Sequence, residues 1–523
     1  MDDRSKKPAT WQTEFVKRHL WTALVFVAAI LGCSAPAQTN DSNDFPVLTI
    51  RGENLTNATI WTVTPSYAVI YYRNGAKHVP LADLPEFLQK RYGYDPAKAQ
   101  AFDAAEKERQ KADAAKLQQW RRALEKAQRE ADWPEWRGPN RNGGGVSSVP
   151  LAGSWPAGGP RKIWSTTAFP SGCASSLAIA NGRVYDHIHL VAPKQEIIAC
   201  LDEATGATLW RRDFDVPIRT SHAASATPCI TKGRCLVMGA RLCYCLDALN
   251  GTLFWTSKKG DYSTDPSLTG SNAEVSCSVA VVSDVAVIQA GAVFGYDLAT
   301  GALLWQAPDP HGYACAAASA VPFSDDRIIY GGREQLNCLQ AKTGKILWKL
   351  PGAGARLYAY AITPVISSDI LLALSNGQLR AFDLGSATPR ELWHILYGDP
   401  YSTPAADGQC CYMMDPGFTY TDGVGHSNGP ASYAIVCRDL RTGRVLWQTP
   451  IPESQYTSPI LVSGKVFVLT DGGREIKMLD ARDGRVLGSA PVAACNWSSP
   501  SVAHGKLFVR IARGVACYDL RPQ

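Results

Sequence analysis

The sequence predicts an all-β fold: an eight-bladed β-propeller, preceded by a small β module and a long charged helix. Three observations predict it. First, a tryptophan returns through the last two thirds of the chain. Trp164, Trp210, Trp255, Trp305, Trp348, Trp393 and Trp447 are separated by 46, 45, 50, 43, 45 and 54 residues. Second, most of them close the same phrase, as in Leu201-Asp-Glu-Ala-Thr-Gly-Ala-Thr-Leu-Trp210 and Tyr296-Asp-Leu-Ala-Thr-Gly-Ala-Leu-Leu-Trp305. Third, 44 Gly, 33 Pro and 15 Trp with only 19% charged residues suit many short strands joined by turns. A β-rich unit recurring every ~40–50 residues marks a propeller or a similar array. The net charge of +6 is small for 523 residues and no Lys/Arg run stands out, so nothing points to nucleic acid.

Residues 1–37 read as a signal peptide or membrane anchor. Arg4, Lys6, Lys7, Lys17 and Arg18 form a basic leader, followed by the apolar run Leu20 to Gly32. Thirteen residues are short for a membrane span. The run ends at Ile30-Leu-Gly-Cys33, which resembles a bacterial lipobox and would place lipid on Cys33. Ala35-Pro-Ala37 offers an ordinary signal-peptidase site, and an uncleaved anchor is a third reading. Each places the rest of the chain outside the cytoplasm.

Residues 45–92 predict a small SH3-like β module. Strands are expected at Val47-Leu-Thr-Ile50, Thr59-Ile-Trp-Thr-Val63, Tyr67-Ala-Val-Ile-Tyr-Tyr72 and His78-Val-Pro-Leu81, with a hairpin turn at Asn74-Gly75. A short helix is expected at Leu84 to Tyr92. Asp95-Pro96 is a helix start, an N-cap acceptor before a first-turn proline. The Ala/Lys/Glu-rich stretch to Ala131 then predicts a helix of about 36 residues, roughly 54 Å long and solvated. Residues 132–153 form a Trp/Gly-rich lead-in, and the propeller is expected over 154–523.

Each propeller unit reads in the same order. A first strand follows a Ser/Thr-rich start such as Ser458-Pro459 or Ser499-Pro500. A Gly turn leads to a second strand, a third ends at the Asp, and a fourth carries the Trp. The seventh phrase has Gly488 where the Trp would be, and the last unit stops at Cys517-Tyr-Asp519, before a fourth strand. Arg161-Lys-Ile-Trp164 is an orphan fourth strand. Pairing it with the last unit gives seven full blades plus one shared, and leaves no free edge. The Trp is expected to fill the wedge against the neighbouring blade.

Fifteen cysteines in an exported chain would ordinarily suggest disulfides. Their positions suggest packing instead. Cys200, Cys245, Cys338, Cys437 and Cys517 share one repeat slot, filled elsewhere by Gly295, Ala381 and Met478. A slot that takes Cys, Gly, Ala or Met is a buried one, and equivalent points on neighbouring blades lie too far apart to bridge. No haem-attachment or zinc spacing occurs.

The phrase Asp-Ala-x-Thr-Gly-x-x-Leu-Trp resembles the pyrroloquinoline-quinone-like repeat, and the resemblance runs through residues 154–520. Trp133-Pro-Glu-Trp136-Arg-Gly-Pro139 is similar to the segment preceding such propellers in exported planctomycete and verrucomicrobial proteins. The resemblance implies two function classes. One is the quinoprotein alcohol and sugar dehydrogenases, with the quinone (PQQ) and calcium above the central channel. The other is a non-catalytic interaction scaffold, like the propeller lipoprotein of outer-membrane protein assembly.

The enzyme class needs Arg or Lys partners for the quinone carboxylates, oxygen ligands for Ca²⁺ and a general base. It also carries a vicinal disulfide. Cys410-Cys411 is adjacent in sequence but falls in a second strand, so it reads as packing. His187 and His189 alternate on one strand and read as polar positions at a blade edge. The strand order puts fourth-to-first and second-to-third loops on one face. That face would carry Arg219, His222, Tyr262, Asn272, Glu274, Arg356, Tyr358, Tyr360, Tyr420 and His426. A Glu274/Asn272/Asp265 set is the candidate for calcium. Tyr, Arg and Asn on these loops suit recognition of a protein partner. The expectation is therefore an exported, membrane-anchored, monomeric scaffold without a cofactor. The alternative is a dehydrogenase using PQQ and calcium.

Overall fold

Each repeat phrase folds around its aspartate. The Asp202 carboxylate accepts from the amides of Ala204 (3.1 Å) and Thr205 (2.8 Å) and from the Thr205 hydroxyl (2.7 Å). Gly206 then takes a φ of 74°, which glycine adopts without a steric penalty. Asp297-Thr300 and Asp439-Thr442 repeat the arrangement. The turn reverses the chain between third and fourth strands, which is why the phrase recurs once per sheet.

The computed structural model describes residues 43–522 apart from 73–74, 109–131, 168, 170–174, 191–194, 216–225, 241, 258–276, 291, 309–317, 324–325, 332–334, 352–361, 376, 386–388, 398–400, 416–432, 453–456 and 496–497. Within them, eight consecutive sheets span 178–215, 229–256, 280–308, 321–351, 365–396, 405–450, 460–491 and 501–519. Each is an antiparallel meander in chain order. The seventh gains Gly144–Gly145 as a parallel fifth strand beside Ile460–Val462. The eighth takes Lys162–Ser165 as its fourth strand, with Trp164 opposite Cys517.

The cysteine slot has a definite geometry. In every sheet it lies directly across from the tryptophan position, next to a register shift. The pairs are Cys200↔Trp210, Cys245↔Trp255, Gly295↔Trp305, Cys338↔Trp348, Ala381↔Trp393, Cys437↔Trp447, Met478↔Gly488 and Cys517↔Trp164. A small residue leaves room for the indole: a Cβ on Gly295 would lie 2.1 Å from the Trp305 ring. The twelve described cysteines are free thiols, all buried except Cys410.

The tryptophans face the next sheet. Trp210 Nε1 donates to Ala248 O (3.1 Å), Trp255 to Leu298 O (3.1 Å), Trp305 to Ala341 O (2.7 Å) and Trp393 to Leu440 O (2.9 Å). Each of these rings also rests on the glycine of the next sheet's turn, where a Cβ would fall within 2.8 Å of it. The seventh sheet lacks its own Trp, and Trp155 of the lead-in fills the gap. A Cβ on Gly488 would meet Trp155, whose amide donates to Leu487 O (2.9 Å).

A belt of buried hydroxyls joins the starts of the inner strands. Thr227 N donates to Ser278 Oγ (2.9 Å), Ser278 N to Ser319 (2.8 Å), Ser319 N to Thr363 (3.2 Å) and Thr363 N to Thr403 (3.3 Å). Thr403 N donates to Ser458 (2.9 Å), Ser458 N to Ser499 (3.0 Å) and Ser499 N to Ser176 (2.9 Å). The last link runs from the eighth sheet to the first.

Charges hold the same seam. Arg510 and Asp186, both fully buried, pair at 3.2 Å between the eighth and first sheets. His504 lies between Asp132 (3.1 Å) and Glu203 (3.0 Å), and Lys506 adds a contact to Glu203 at 2.9 Å. The two carboxylates push the imidazole up to about 10. A raised folded-state pKa stabilises fully below the ordinary value of ~6.5, and the contribution drains away as pH climbs to about 10. The wild type is therefore expected to lose thermal stability between pH 7 and 10. His504→Gln should flatten that slope in thermal scans across the window; an unchanged slope would show that the imidazolium does not hold the seam.

The N-terminal module is a separate meander of Asp44–Ile50, Glu53–Val63, Tyr67–Tyr72 and Gly75–Pro80. Its strands run longer than the hydrophobic runs alone indicate, and among the described residues no pairing joins the first to the fourth. Leu48, Leu55, Ile60, Ile70, Leu84 and Leu88 form its core. Residues 96–108 are helical, capped by Asp95, which accepts from the amides of Ala97 (2.8 Å) and Lys98 (3.1 Å). Residues 109–131 of the expected helix lie outside the described residues.

Candidate functional site

The lead-in does not stop short of the sheets. It runs across the starts of the first strands of several sheets. Trp133 exchanges two backbone hydrogen bonds with Ile179 of the first sheet, each 2.8 Å. Pro134 O accepts from Ile230 of the second sheet (2.8 Å). Trp136 Nε1 donates to Thr363 Oγ1 of the hydroxyl belt (3.2 Å). Asn142 O accepts from Ala406 of the sixth sheet (2.9 Å), and Gly143 O from Leu461 of the seventh (2.8 Å).

Two arginines anchor this segment. Arg137 is only 2% exposed and donates to Pro404 O (2.6 Å) and Pro459 O (2.7 Å), between the sixth and seventh sheets. Arg141, 1% exposed, donates to Ser278 O (3.0 Å) and Val279 O (2.8 Å) of the third sheet and to Glu135 (2.6 Å). Both sit at positive φ, 66° and 53°, which lets the chain double back within a few residues. Gly143 packs so closely that a Cβ would lie 2.2 Å from Arg137 Nη2. Burial pulls the Arg137 guanidinium down to about 9, so it stays charged at neutral pH. Burial raises the Glu135 carboxyl, against the pull of Arg141 and the Cys229 thiol.

A quinone with calcium here would need free cationic donors and converging carboxylates. The terminal nitrogens of Arg137 and Arg141 donate to backbone carbonyls and Glu135, while Nε of each has no hydrogen-bond partner among the described residues. Among the described residues, no group of three or more His, Cys, Asp or Glu side chains is arranged to hold a metal. Asp265, Asn272 and Glu274, the residues named for calcium, lie outside the described residues. Cys410 and Cys411 are successive residues of the strand Cys410–Asp415 and belong to packing clusters on opposite faces of their sheet.

His187 and His189 are a correction to the sequence reading. They are buried rather than set at a blade edge. Both approach Glu196 Oε1, at 3.8 and 3.5 Å, and His187 Nδ1 lies 3.2 Å from Ala226 O. Glu196 also accepts from the Ala240 amide and from Tyr244 Oη (3.0 Å) of the second sheet. Burial opposes its ionisation, but the two histidines and the Ala240 amide hold it down to about 2. Gly239 leaves the space, since a Cβ there would sit 2.3 Å from Glu196. The cluster pins the first sheet to the second.

The candidate binding-face residues Arg219, His222, Tyr262, Asn272, Glu274, Arg356, Tyr358, Tyr360, Tyr420 and His426 lie outside the described residues, as do Asp265 and Cys33. The strands flanking them are described. Their connections leave from the end of the sheets where the inner strands begin, which is also where the lead-in lies.

A family model described as outer membrane protein assembly factor BamB matches residues 193–449 and 431–521, together more than half of the chain. The chain belongs to that family. It is 23% identical over 338 residues to outer membrane protein assembly factor BamB of Yersinia pestis, covering 59% of this chain and 76% of that protein. BamB from Moraxella catarrhalis superposes with a TM-score of 0.50 at 15% identity, over 69% of this chain and 98% of that one. Two dehydrogenases share the fold. A europium-containing methanol dehydrogenase gives a TM-score of 0.57 at 14% identity, over 74% of this chain and 90% of that one. Quinohemoprotein alcohol dehydrogenase from Comamonas testosteroni gives 0.57 at 12% identity, over 76% and 82%. These structural likenesses show a PQQ-like propeller and leave function to the site.

Proposed function

We propose that the chain is a non-catalytic protein-interaction scaffold of the cell envelope. Its eight sheets would be the blades of a closed propeller, with the Lys162–Ser165 strand as the clasp. The observation that carries this reading is the lead-in: Arg137 and Arg141 turn their terminal nitrogens to backbone carbonyls of the sixth, seventh and third sheets, so the segment is built into the starts of the first strands, where a dehydrogenase of this fold would hold its cofactor. The family description, an outer membrane protein assembly factor, supports a role in contacting other proteins. The partner is a protein, met by the loop face that bears Arg219, Tyr262, Arg356, Tyr358 and Tyr420. Residues 1–37 direct the chain to the envelope, with lipid on Cys33.

The test combines cross-linking with an activity assay. A photo-reactive residue at Tyr262, Tyr358 or Tyr420, in the full chain in its source cell, is expected to give discrete protein adducts. One at the exposed turn residue Arg485, on the opposite face, should not. Cys33→Ala should release the protein from membranes. Reconstitution with quinone and calcium should give no dye-linked alcohol oxidation. Robust turnover, or adducts from Arg485 alone, would overturn the reading.

A further inference from the structure

The N-terminal module presents apolar side chains that its own fold leaves uncovered. Phe87, on the short helix Glu86–Arg91, is 57% exposed, and Val47, on the first strand, is 52% exposed. The rings of Phe45 and Phe87 lie 6.4 Å apart, tilted by 59°. Val47 stands two residues beyond Phe45, so the strand turns both to one side while Leu48 and Ile50 enter the core. The chain enters the module at this same place. Arg91 Nη2 (3.1 Å) and Tyr92 Oη (3.0 Å) donate to Asn43 Oδ1, and Ile60 N donates to Asn43 O (3.0 Å). The Arg91 guanidinium lies 5.5 Å from the centre of the Tyr92 ring.

Three features say what covers this patch. The first is orientation. The module's last strand, Gly75–Pro80, comes within 8 Å, Cα to Cα, of the fourth strand of the third sheet, Leu303–Pro308. The first strand is the opposite edge of the module's sheet, so Phe45 and Val47 lie away from that contact. The second is the tether. Cys33 and Asn43 stand ten positions apart, and a fully extended chain of that length spans at most ~36 Å. A lipid on Cys33 therefore holds this edge of the module close to a bilayer. The third is Pro46. It is exposed on the edge strand and has no amide to donate, which disfavours pairing with a strand of another protein.

We propose that Phe45, Val47 and Phe87 form a membrane-docking face that lays the module on a lipid surface. The inference rests on the reading that Cys33 carries lipid. The two rings and the valine enter the boundary between headgroups and acyl chains, while Arg91 and Tyr92 stay at the polar level. Lys90 pairs with Glu86 (2.8 Å), and Asp44 accepts from the Thr59 hydroxyl (2.7 Å), so the local charges are close to balanced. Apolar contact carries the docking, and zwitterionic and anionic lipids serve alike. The short tether makes the contact intramolecular, so even a small face is occupied much of the time.

The experiment places a photo-reactive residue at Phe87 of the full chain in its source cell, and in a second version at Arg485. After irradiation, peptide mass spectrometry reads what each has captured. The expected result is phospholipid on the peptide bearing position 87 and none at position 485. Val47→Asp, a change at an exposed site, should cut the lipid yield at position 87 several-fold. Capture of protein in place of lipid at position 87 would overturn the proposal. So would the lack of any lipid adduct there while the chain still sediments with membranes through Cys33, and that result would leave the anchor standing. Retention of Cys33→Ala on membranes, with lipid still captured at position 87, would overturn the anchor and uphold the docking face.

Discussion

Trp305→Ala is expected to lower the stability of the protein by about 3–5 kcal/mol, read as a shift in the denaturant midpoint at unchanged slope. The ring is buried between two sheets, rests on Gly344 and donates to Ala341 O at 2.7 Å. Alanine removes the packing and leaves that carbonyl without its indole donor. The local collapse that could refill the gap is blocked, because Gly295 opposite the ring has no side chain to move in. Trp348→Ala provides the internal comparison. Trp348 is only half-buried, and the corresponding phrase of the next sheet reads Asp383-Leu-Gly-Ser without the Thr-Gly pair. Its loss should be about half as large. Equal effects for the two would refute the idea that the turn glycine is what seats the ring.

The second large effect is expected at Arg137. Arg137→Met keeps the length of the side chain but leaves Pro404 O and Pro459 O without their charged donor inside the protein. Hydrogen bonds to charged groups contribute about 1.5–3 kcal/mol each, so a loss of about 3–5 kcal/mol follows. Arg137→Lys should recover little of it, because one ammonium cannot span two carbonyls as the guanidinium fork does. The measurement is denaturant unfolding of the three proteins. A lysine variant as stable as wild type would mean that charge alone, not the fork, secures the lead-in.

The repeating part of the fold was legible because its causes are local. The Asp turn needs four adjacent residues, and the tryptophan and its small opposite number are set by register within one hairpin. That is why Cys200, Cys245, Cys338, Cys437 and Cys517 could be read as packing residues from their spacing alone. Trp155 was harder. It fills the place of Gly488, more than three hundred positions away, and only the gap was visible in the sequence. The role of Arg137 and Arg141 was not legible, since their partners are backbone carbonyls, which any sequence supplies. The one available signal was two arginines among glycines in a short aperiodic stretch. Alternation on a strand likewise placed His187 and His189 on one side but could not show that Glu196 and Tyr244 wait there. The proposed partner face is defined only by loop lengths and composition.

The strand Lys162–Ser165 carries a consequence for how the protein is made. Its partner, Gly514–Asp519, lies about 350 residues further along, and joining ends that far apart costs roughly 5 kcal/mol of chain entropy. A ribosome delivers the first strand long before the second exists. Seven sheets can assemble in order of appearance while this one waits, so the junction of first and last sheets forms at the end of biogenesis. By the same reasoning it is the junction most exposed to proteases and to mechanical pull. The arginine and histidine ion pairs there are the reinforcement of the last joint to be made.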